Sequence, residues 1–176
     1  MKPSLKFLLA AFSALLPLSS AAAAVLFADG FENGLNDWGL NKEASGTISL
    51  TSVGCPEGAQ CVKIVNSDVN SFVYIGRRFT VRSPGSLLVK AKLRVPTLTK
   101  GTEFYHVAKF QAAIIRDGRE INWPNSDIYS AVAGWVPRSF KASGLRNGDE
   151  VYIRIGLQNA VGTVEVDEVQ VTFTKD

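Results

Sequence analysis

Two cysteines and a single histidine are the residues of this sequence whose types most directly suggest chemistry. Cys55 and Cys61 are six positions apart and enclose Pro56-Glu57-Gly58, a turn-forming segment that can bring two sulfurs together. A redox dithiol usually has the spacing C-x-x-C at the start of a helix, and zinc needs more ligands than this pair and His106 provide. We therefore predict one structural disulfide, Cys55–Cys61, which stabilises the fold by roughly 2 kcal/mol on the chain-entropy estimate.

The first 24 residues have the features of an export signal. Lys2 and Lys6 precede the apolar run 7–18, and small residues follow up to a cleavage point after Ala23 or Ala24. The 176-residue chain has 19 Lys+Arg and 16 Asp+Glu, so loss of the two lysines leaves a nearly neutral protein. We expect residues 25–176 to form a single domain that is secreted or periplasmic and monomeric. We expect no membrane span and no nucleic-acid partner.

Alternation of apolar and polar residues with period two dominates the chain after residue 45. In the segment 87–95 the odd positions are apolar, while Lys90, Lys92 and Arg94 share the other face. Turn-forming residues such as Asp117-Gly118 interrupt the alternation about every ten residues. This pattern predicts an all-β sandwich of two antiparallel sheets. The predicted strands are 47–52, 61–66, 72–81, 86–95, 103–115, 135–142, 151–158 and 163–173.

The last predicted strand changes phase. Val164 and Val166 share one face, whereas Val169 and Val171 share the opposite one, and the switch falls at Asp167-Glu168. A β-bulge at this point would turn both pairs of valines toward the core. It would also place a kinked backbone beside the Asp167 carboxylate.

Motifs at the two ends of the chain resemble those of carbohydrate-binding modules. The segment Asp29-Gly30-Phe31-Glu32-Asn33-Gly34-Leu35-Asn36-Asp37-Trp38 is similar to the opening N-G-x-F-E-x-G-L-x-x-W of modules in the group of families 4, 9 and 22. The segment Gly162-Thr163-Val164-Glu165-Val166-Asp167-Glu168-Val169 is similar to their closing G-T-V-x-x-D-D-V. Weaker similarities follow in order at 58–65, 79–85, 114–118 and 134–135. The resemblance implies a jelly-roll β-sandwich of the galactose-binding-domain type and a poly- or oligosaccharide ligand.

The resemblance also implies a structural calcium ion where the first and last strands meet. Carried over residue by residue, its ligands would be the carbonyl of Gly30, the carboxylate of Glu32, a carbonyl near Ala59, and the carbonyl and side chain of Asp167. The chemistry agrees, because Ca²⁺ takes six to eight oxygen ligands from carboxylates and carbonyls. Pro56 departs from the pattern because it has no side-chain oxygen, although Glu57 lies beside it. The alternative is that Glu32 and Asp167 are ordinary surface carboxylates.

One face of the predicted strand 103–115 is polar and carries a single aromatic residue, while Phe104 and His106 belong to the predicted core face. Sugar binding needs an aromatic surface for the apolar side of a pyranose and polar side chains for its hydroxyls. A similar polar set lies on the strand 151–158, and the irregular stretch 122–129 could border a cleft. The predicted ligand contacts are Tyr105, Lys109, Gln111, Trp123, Tyr152 and Arg154. The alternative for the tyrosines is cross-strand packing.

The polar face of the strand 86–95 is basic. Lys90, Lys92 and Arg94 are most simply a solvated surface that discourages pairing at a sheet edge. A basic stripe of this kind could also bind an acidic polysaccharide.

Three functions remain open from the sequence. The favoured one is an exported, non-catalytic carbohydrate-binding protein, and the second is a cell-envelope sandwich with a structural or protein-binding role. A small glycan-active enzyme is the least favoured, because the chain has no G-x-S-x-G motif and its only histidine alternates with apolar residues. The number of carboxylates does not decide whether the protein is a glycosidase, because the two catalytic carboxyl groups are defined by their separation across a cleft.

Overall fold

A computed structural model describes residues 23–176. The predicted export signal therefore lies outside the described residues, except for Ala23 and Ala24, which begin the first strand. No helix within the described range is long and apolar enough to cross a membrane. The strands of this range are β1 (Ala23–Asp29), β2 (Gly39–Asn41), β3 (Gly46–Thr51), β4 (Cys61–Asn66), β5 (Phe72–Thr80), β6 (Gly85–Thr99), β7 (Ala108–Arg116), β8 (Arg119–Asn122), β9 (Val132–Leu145), β10 (Glu150–Gln158) and β11 (Val161–Lys175).

These strands form two antiparallel sheets. One has the order β3-β4-β11-β6-β9, with β1 paired to the C-terminal half of β11, and we call it the six-stranded sheet. The other has the order β2-β5-β10-β7-β8 and is the five-stranded sheet. Spatial neighbours such as β4 and β11 are distant in sequence, as in a jelly roll. The predicted all-β jelly-roll sandwich of two antiparallel sheets is confirmed.

The core lies between the two sheets and follows the alternation of the sequence. In β6, Leu87, Val89, Ala91 and Leu93 are buried, while Leu88, Lys90 and Lys92 between them face outward. Phe110 of β7 and Phe140 of β9 meet across the sandwich, with ring centroids 4.9 Å apart. Each buried side chain of this size stabilises the fold by about 1.5–3 kcal/mol, so the two inner faces hold the sheets together.

Strand β11 contains the predicted bulge. Asp167 pairs with Lys92 and Gln170 with Lys90, so two residues of β11 face a single residue of β6. Glu168 has a φ of 49°, which lies in the left-handed region. The valines on both sides of the bulge are buried, and the predicted change of phase is therefore confirmed.

The segment before β7 differs from its prediction. The strand predicted for 103–115 begins only at Ala108, and the preceding residues form turns, one of them closed by the His106 amide donating to the Glu103 carbonyl at 3.0 Å. The assignment of Phe104 to the core is wrong, since its side chain is 81% exposed. Period-two reasoning fails here because a turn breaks the phase. Strands β1, β2 and β8 were not predicted, and β9 begins at Val132 rather than at 135.

The disulfide between Cys55 and Cys61 is confirmed, with the two Cα atoms 5.6 Å apart. It braces residues 52–60, which we call the disulfide loop, between β3 and β4. This loop folds over the outer face of the six-stranded sheet. The Trp135 indole donates a hydrogen bond to the Gly54 carbonyl at 2.7 Å, and the Lys92 ammonium lies 3.1 Å from the Glu57 carboxylate.

Candidate functional site

A cleft of about 520 Å³ lies on the outer face of the five-stranded sheet. Its floor is formed by the neighbouring strands β7 and β10, where Arg154 pairs with Gln111 and Gly156 with Lys109. The two polar sets predicted separately on β7 and β10 therefore belong to one surface. The residues around the cleft are Phe72, Phe104, Tyr105, Lys109, Gln111, Glu120, Trp123, Asn125, Asp127, Tyr129, Arg154 and Gln158.

Aromatic side chains from two loops stand at the mouth of the cleft. Phe104 and Tyr105 come from the turns before β7 and pack edge to face, with centroids 5.2 Å apart. Trp123 and Tyr129 come from the segment after β8, and both are about half exposed. Exposed aromatic surface of this extent around a depression is typical of ligand sites.

The segment 123–129 is held in place by β7 rather than left as a free loop. The Ser126 amide donates to the Phe110 carbonyl at 2.8 Å, and the Ile128 amide donates to the Ala108 carbonyl at 2.9 Å. Ladder-like bonds of this kind fix the backbone beneath Trp123. The aromatic wall of the cleft is therefore positioned before any ligand arrives.

A buried ion pair lies in the floor. The Lys109 ammonium is 2.7 Å from Asp127 Oδ2, and Asp127 Oδ1 accepts a hydrogen bond from the Phe110 amide at 3.0 Å. The two side chains are only 6% and 2% exposed. Burial of charges requires this kind of pairing, and the pair holds both groups rigidly against the cleft.

A second ion pair orients the aromatic wall. Arg154 of β10 pairs with Glu120 of β8, and the Trp123 indole donates a hydrogen bond to Glu120 Oε2 at 2.7 Å. Burial raises the pKa of Glu120, but hydrogen bonds from Arg154 and Trp123 outweigh burial and leave that pKa below its ordinary value. Glu120 is therefore a carboxylate that links the floor of the cleft to Trp123.

Tyr152 lies beside the cleft rather than in its lining. Its ring is placed between two guanidinium groups, 4.7 Å from that of Arg78 and 4.6 Å from that of Arg154. The ring lies over Gly76, where a Cβ would come within 2.5 Å of it. Burial and a hydrogen bond with Tyr152 raise the pKa of the adjacent Tyr74 to about 12. The structure thus brings together Tyr105, Lys109, Gln111, Trp123 and Arg154, and it places Tyr152 next to them as a packing partner.

Two charged residues of the cleft were missed from the sequence. Glu120 was missed because β8 was not predicted, although Asp117-Gly118 is a hairpin signal that would have placed a short strand after it. Asp127 lies in an irregular stretch whose sequence gives no sign of a buried ion pair. Phe104 was assigned to the wrong face.

The residues predicted to hold calcium meet near the bulge of β11. Asp167 is 1% exposed; its Oδ1 accepts a hydrogen bond from the Glu168 amide at 2.7 Å, and its Oδ2 is buried with no hydrogen-bond partner among the described residues. A Cβ built on Gly30 would lie 3.8 Å from Asp167 Oδ1. Burial raises the pKa of Asp167 to about 6, and the charges of Glu168 and Glu32 contribute in the same direction.

Glu32 and the disulfide loop complete this region. Glu32 Oε1 accepts hydrogen bonds from the amides of Ala59 at 2.9 Å and Gln60 at 3.1 Å. Within residues 23–176, no three His, Cys, Asp or Glu side chains form a metal-binding group. Any ion held by Glu32 and Asp167 would therefore draw on backbone carbonyls, as the predicted set with Gly30 and Ala59 requires. The orphaned oxygen of Asp167 fits such a role, because a buried carboxylate oxygen is costly unless a cation or donor satisfies it.

Solved structures with the same fold include carbohydrate-binding modules. The chain is similar to the CBM22-1 xylan-binding domain from Paenibacillus barcinonensis Xyn10C, with a TM-score of 0.64, 14% identity, and coverage of 90% of this chain and 99% of that chain. It is also similar to the C-terminal family 22 carbohydrate binding module of Clostridium thermocellum Xyn10B, with a TM-score of 0.59, 11% identity, and coverage of 85% and 93%.

An enzyme shares this architecture as well. A cyclase from Fischerella sp. TAU matches with a TM-score of 0.58, 9% identity, and coverage of 88% of this chain and 100% of that chain. No protein-family model and no curated protein sequence matches the chain. The chain therefore has the jelly-roll fold of carbohydrate-binding modules, as the sequence motifs indicated, and its function must be argued from its own residues.

Proposed function

We propose that this protein binds a poly- or oligosaccharide in the cleft of the five-stranded sheet without acting on it chemically. The observation that carries the proposal is the combination of exposed aromatic rings at the mouth with a rigid, ion-paired polar floor. The similarity to xylan-binding and other carbohydrate-binding modules supports the same class of ligand.

The cleft can recognise both sides of a sugar ring. The apolar face of a pyranose packs against Trp123 or Tyr105, since aromatic side chains offer a large, rigid apolar surface. The side chains of Gln111, Asn125 and Gln158 then supply amide donors and acceptors for hydroxyl groups. Because the charges in the floor are already paired, their remaining hydrogen-bonding capacity suits hydroxyls better than a second charge.

The two carboxylates of the cleft support a binding role rather than hydrolysis. A glycosidase needs one carboxyl group with a raised pKa to act as a general acid. Asp127 is instead engaged by the Lys109 ammonium and the Phe110 amide, and the pKa of Glu120 is lowered rather than raised. Both groups are therefore engaged in maintaining the cleft.

A structural calcium ion is the second part of the proposal. Glu32, Asp167 and the carbonyls of Gly30 and Ala59 would hold it, and the ion would supply a positive charge to the buried Asp167 carboxylate. Such an ion would tie the segment after β1, the disulfide loop and the bulge of β11 together. The disulfide and the signal-like sequence at 1–24 support an exported protein, where both calcium and disulfides are available.

Binding to a panel of neutral and acidic glycans, measured by calorimetry, tests the first part. We expect Trp123→Ala and Tyr105→Ala each to weaken binding by about tenfold or more, the usual cost of removing a central aromatic contact. Ile121→Ala is the matched control, because Ile121 is an exposed apolar residue of β8 outside the cleft lining. Unchanged binding in both aromatic variants would refute the cleft as the binding site. Release of product from an oligosaccharide would show that the protein is an enzyme.

Melting in calcium and in chelator tests the second part. Calcium should raise the melting temperature of the wild type and leave that of Asp167→Asn unchanged. In chelator, Asp167→Asn should melt no lower than the wild type, since it removes an uncompensated buried charge. Asp117→Asn, in an exposed turn with a φ of 51° that asparagine tolerates, is the control and should respond to calcium as the wild type does. An equal response of Asp167→Asn and the wild type would exclude this ion site.

A further inference from the structure

A depression of about 570 Å³ lies at the end of β5 and shares no lining residue with the cleft. Seven consecutive residues of the chain, 77–83, line it. Side chains of a strand alternate between the two faces of its sheet, so a surface lined by every residue in turn runs along the edge of the strand. The remaining lining residues are Leu26, Phe27 and Phe173, and we call this depression the edge site.

The edge of β5 is open at this point. Its neighbour β2 pairs only with residues 74–76, because the chain turns away at Trp38, whose amide donates to the Leu35 carbonyl at 3.0 Å. On the other side, β10 pairs with β5 as far as Thr80. Residues 77–80 of β5 therefore have one paired side and one unpaired side in the part of the chain that the structure describes.

The alternation of backbone hydrogen bonds shows which residues face the open side. The Val81 amide donates to the Asp149 carbonyl at 2.8 Å, and the Val81 carbonyl accepts from the Gly148 amide at 2.9 Å. Val81 thus directs both groups toward the start of β10. Successive residues of an antiparallel strand bond to opposite sides. The amides and carbonyls of Arg78 and Thr80 therefore point to the open edge, where an added strand can bond to them.

The inner face beside this edge is apolar. Phe79 pairs with Val151 of β10, which is buried in the core, so Phe79 lies on the inner face of β5. Its ring packs edge to face on Phe27 with centroids 6.1 Å apart. Both rings and Phe173 are only partly buried against the core, and Arg77 on this face is already neutralised by two aspartates. A strand added here would find an apolar surface for its inner side chains.

The outer face beside this edge is cationic. Arg78 and Arg82 follow the same alternation as Thr80 and are exposed. Arg78 pairs with Glu150 at 3.0 Å, but both side chains are about half exposed. No carboxylate lies within 4 Å of Arg82 among residues 23–176. Opposite charges at facing positions of neighbouring strands stabilise a sheet, so acidic side chains are favoured opposite these two arginines.

We propose that the edge site receives an extended segment of a partner protein in which apolar and acidic residues alternate, and that this segment adds a strand to the five-stranded sheet beside β5. Its backbone would bond to Arg78 and Thr80. Its apolar side chains would pack on Phe27 and Phe79, and its carboxylates would face the two arginines. Aromatic residues and arginine are enriched at protein interfaces, as they are in this lining. Pairing of two copies through this edge is disfavoured, because it would place arginines opposite arginines.

Nuclear magnetic resonance with a synthetic peptide tests the proposal. The probe is a short peptide of alternating valine and glutamate, blocked at both ends, and the matched peptide has lysine in place of glutamate. We expect the glutamate peptide to slow hydrogen exchange at the Arg78 and Thr80 amides. The lysine peptide should bind at least about tenfold more weakly, as the loss of charge-assisted hydrogen bonds predicts. Absence of binding by the glutamate peptide, or protection at another strand edge, would overturn the proposal.

Variants separate the backbone contacts from the charges. Thr80→Pro removes the outward N–H and keeps the pairing with β10, since proline is tolerated where the N–H faces away from the sheet. It should weaken binding of the glutamate peptide by about three- to tenfold, whereas Thr80→Val, which keeps the N–H, should not. Arg82→Glu should weaken binding by about tenfold or more. Its control is Arg119→Glu, because Arg119 is exposed and lies in β8 at the opposite edge of the same sheet.

Glycan binding in the cleft should be unchanged in Thr80→Pro and Arg82→Glu, so failure of the edge site and failure of the cleft are distinguishable. Arg82→Glu changes an exposed side chain and keeps the test valid if Thr80→Pro fails to fold. Equal weakening by Arg119→Glu would show that the peptide responds to overall charge. Wild-type affinity in Thr80→Pro would show that no strand is added. Protection of the same amides at high protein concentration without peptide would make a second copy the occupant. Each of these three results would contradict the proposal.

Discussion

The two outer faces of the sandwich are built from the same kind of strand but differ in their aromatic rings and in the pairing of their charged groups. On the five-stranded sheet, Lys109 and Arg154 are each paired with a carboxylate, and aromatic rings stand above them. On the six-stranded sheet, Lys92 pairs with Glu57 and Glu168, Lys90 has no carboxylate within 4 Å in the described range, and the outer groove lined by Lys90, Lys92, Ser139 and Gln170 has no aromatic lining residue.

The difference lies in whether the charged side chains of each surface already have partners of opposite charge. Paired charges in a rigid floor have no net attraction for an ion, and they present hydrogen-bonding groups at fixed positions. Unpaired cations attract anions over several ångströms, an effect that salt screens. The cleft, whose charges are paired, should therefore bind a neutral glycan with little dependence on salt.

The two faces also differ in how they are held together. The cleft is fixed by the ion pairs in its floor and by backbone bonds between β7 and the segment 123–129. The region beside the groove is fixed by the disulfide loop, which Trp135, Lys92 and Glu32 hold against the sheet. Removing one support should therefore damage one face and spare the other.

The largest effect is expected from the floor of the cleft. Asp127→Asn leaves the Lys109 ammonium buried without a counter-charge, and breaking a buried ion pair costs about 3–5 kcal/mol. The free energy of unfolding, measured by urea denaturation, should fall by that amount, and glycan binding in the cleft should be lost.

A double variant separates the contribution of this ion pair to stability from its contribution to glycan binding. Lys109→Met with Asp127→Leu removes both charges and leaves only the Phe110 amide without its acceptor, which costs about 1–3 kcal/mol. It should therefore be more stable than Asp127→Asn but should still fail to bind neutral glycans. Wild-type affinity in the double variant would show that the ion pair supports the fold alone.

The disulfide should have a smaller effect, confined to the other face. Cys55→Ala with Cys61→Ala should lower the free energy of unfolding by about 2 kcal/mol, the estimate for a loop of this length. The melting-temperature increase expected from calcium should shrink, because the loop proposed to supply the Ala59 carbonyl is no longer braced. Neutral-glycan affinity should stay at the wild-type value. A reducing agent should reproduce these changes in the wild type and have no effect on the variant, and a loss of cleft binding would contradict the independence of the faces.

The sequence predicted the sheets better than it predicted the surfaces upon them. Alternation located the core of β6 and β10, and the change of phase located the bulge at Asp167-Glu168, because both follow from side-chain direction along a strand. The turns at 101–107 expose Phe104, which was expected in the core, whereas Tyr105 is exposed as expected. Alternation describes a continuous strand and carries no information about where a turn interrupts it.

The candidate sites depend on pairings that no single strand contains. Lys109 and Arg154 were predicted as ligand contacts on separate strands, and their partners Asp127 and Glu120 come from segments without periodicity. The register that brings β7 beside β10 is set by the whole sheet and cannot be read from either strand. The basic residues of β6 were recognised, whereas the pairing of Lys92 with Glu57 and Glu168 was not, because these carboxylates come from the disulfide loop and the bulge.

Glu120 provides a test of how the aromatic wall is held. Glu120→Gln weakens the link to Arg154 and to the Trp123 indole, and we expect the affinity for a neutral glycan to fall by about three- to tenfold. The pKa of Glu120 is lowered in the folded protein, so the contribution of the ion pair is complete above the ordinary value of 4.5 and is lost as the pH falls through the lower folded value. Affinity should therefore be constant between about pH 5 and 7 and should decline in more acidic solution. A decline beginning near neutral pH would assign the cleft's pH dependence to another group.

The smallest effect is expected from the pair between Arg78 and Glu150, which lies on the same sheet but away from the cleft. Its nitrogen and oxygen are 3.0 Å apart, close to the geometry of the pairs in the cleft, yet both side chains are about half exposed. Exposed pairs contribute about 0–1 kcal/mol, so Arg78→Met should change the free energy of unfolding by no more than that. The lost contact between the guanidinium and the Tyr152 ring falls within the same range.

Glycan affinity of Arg78→Met in calorimetry should be unchanged, because Tyr152 packs beside the cleft and does not line it. A weakening comparable to that of Trp123→Ala would instead extend the binding surface from Arg154 to Tyr152, as the sequence first suggested.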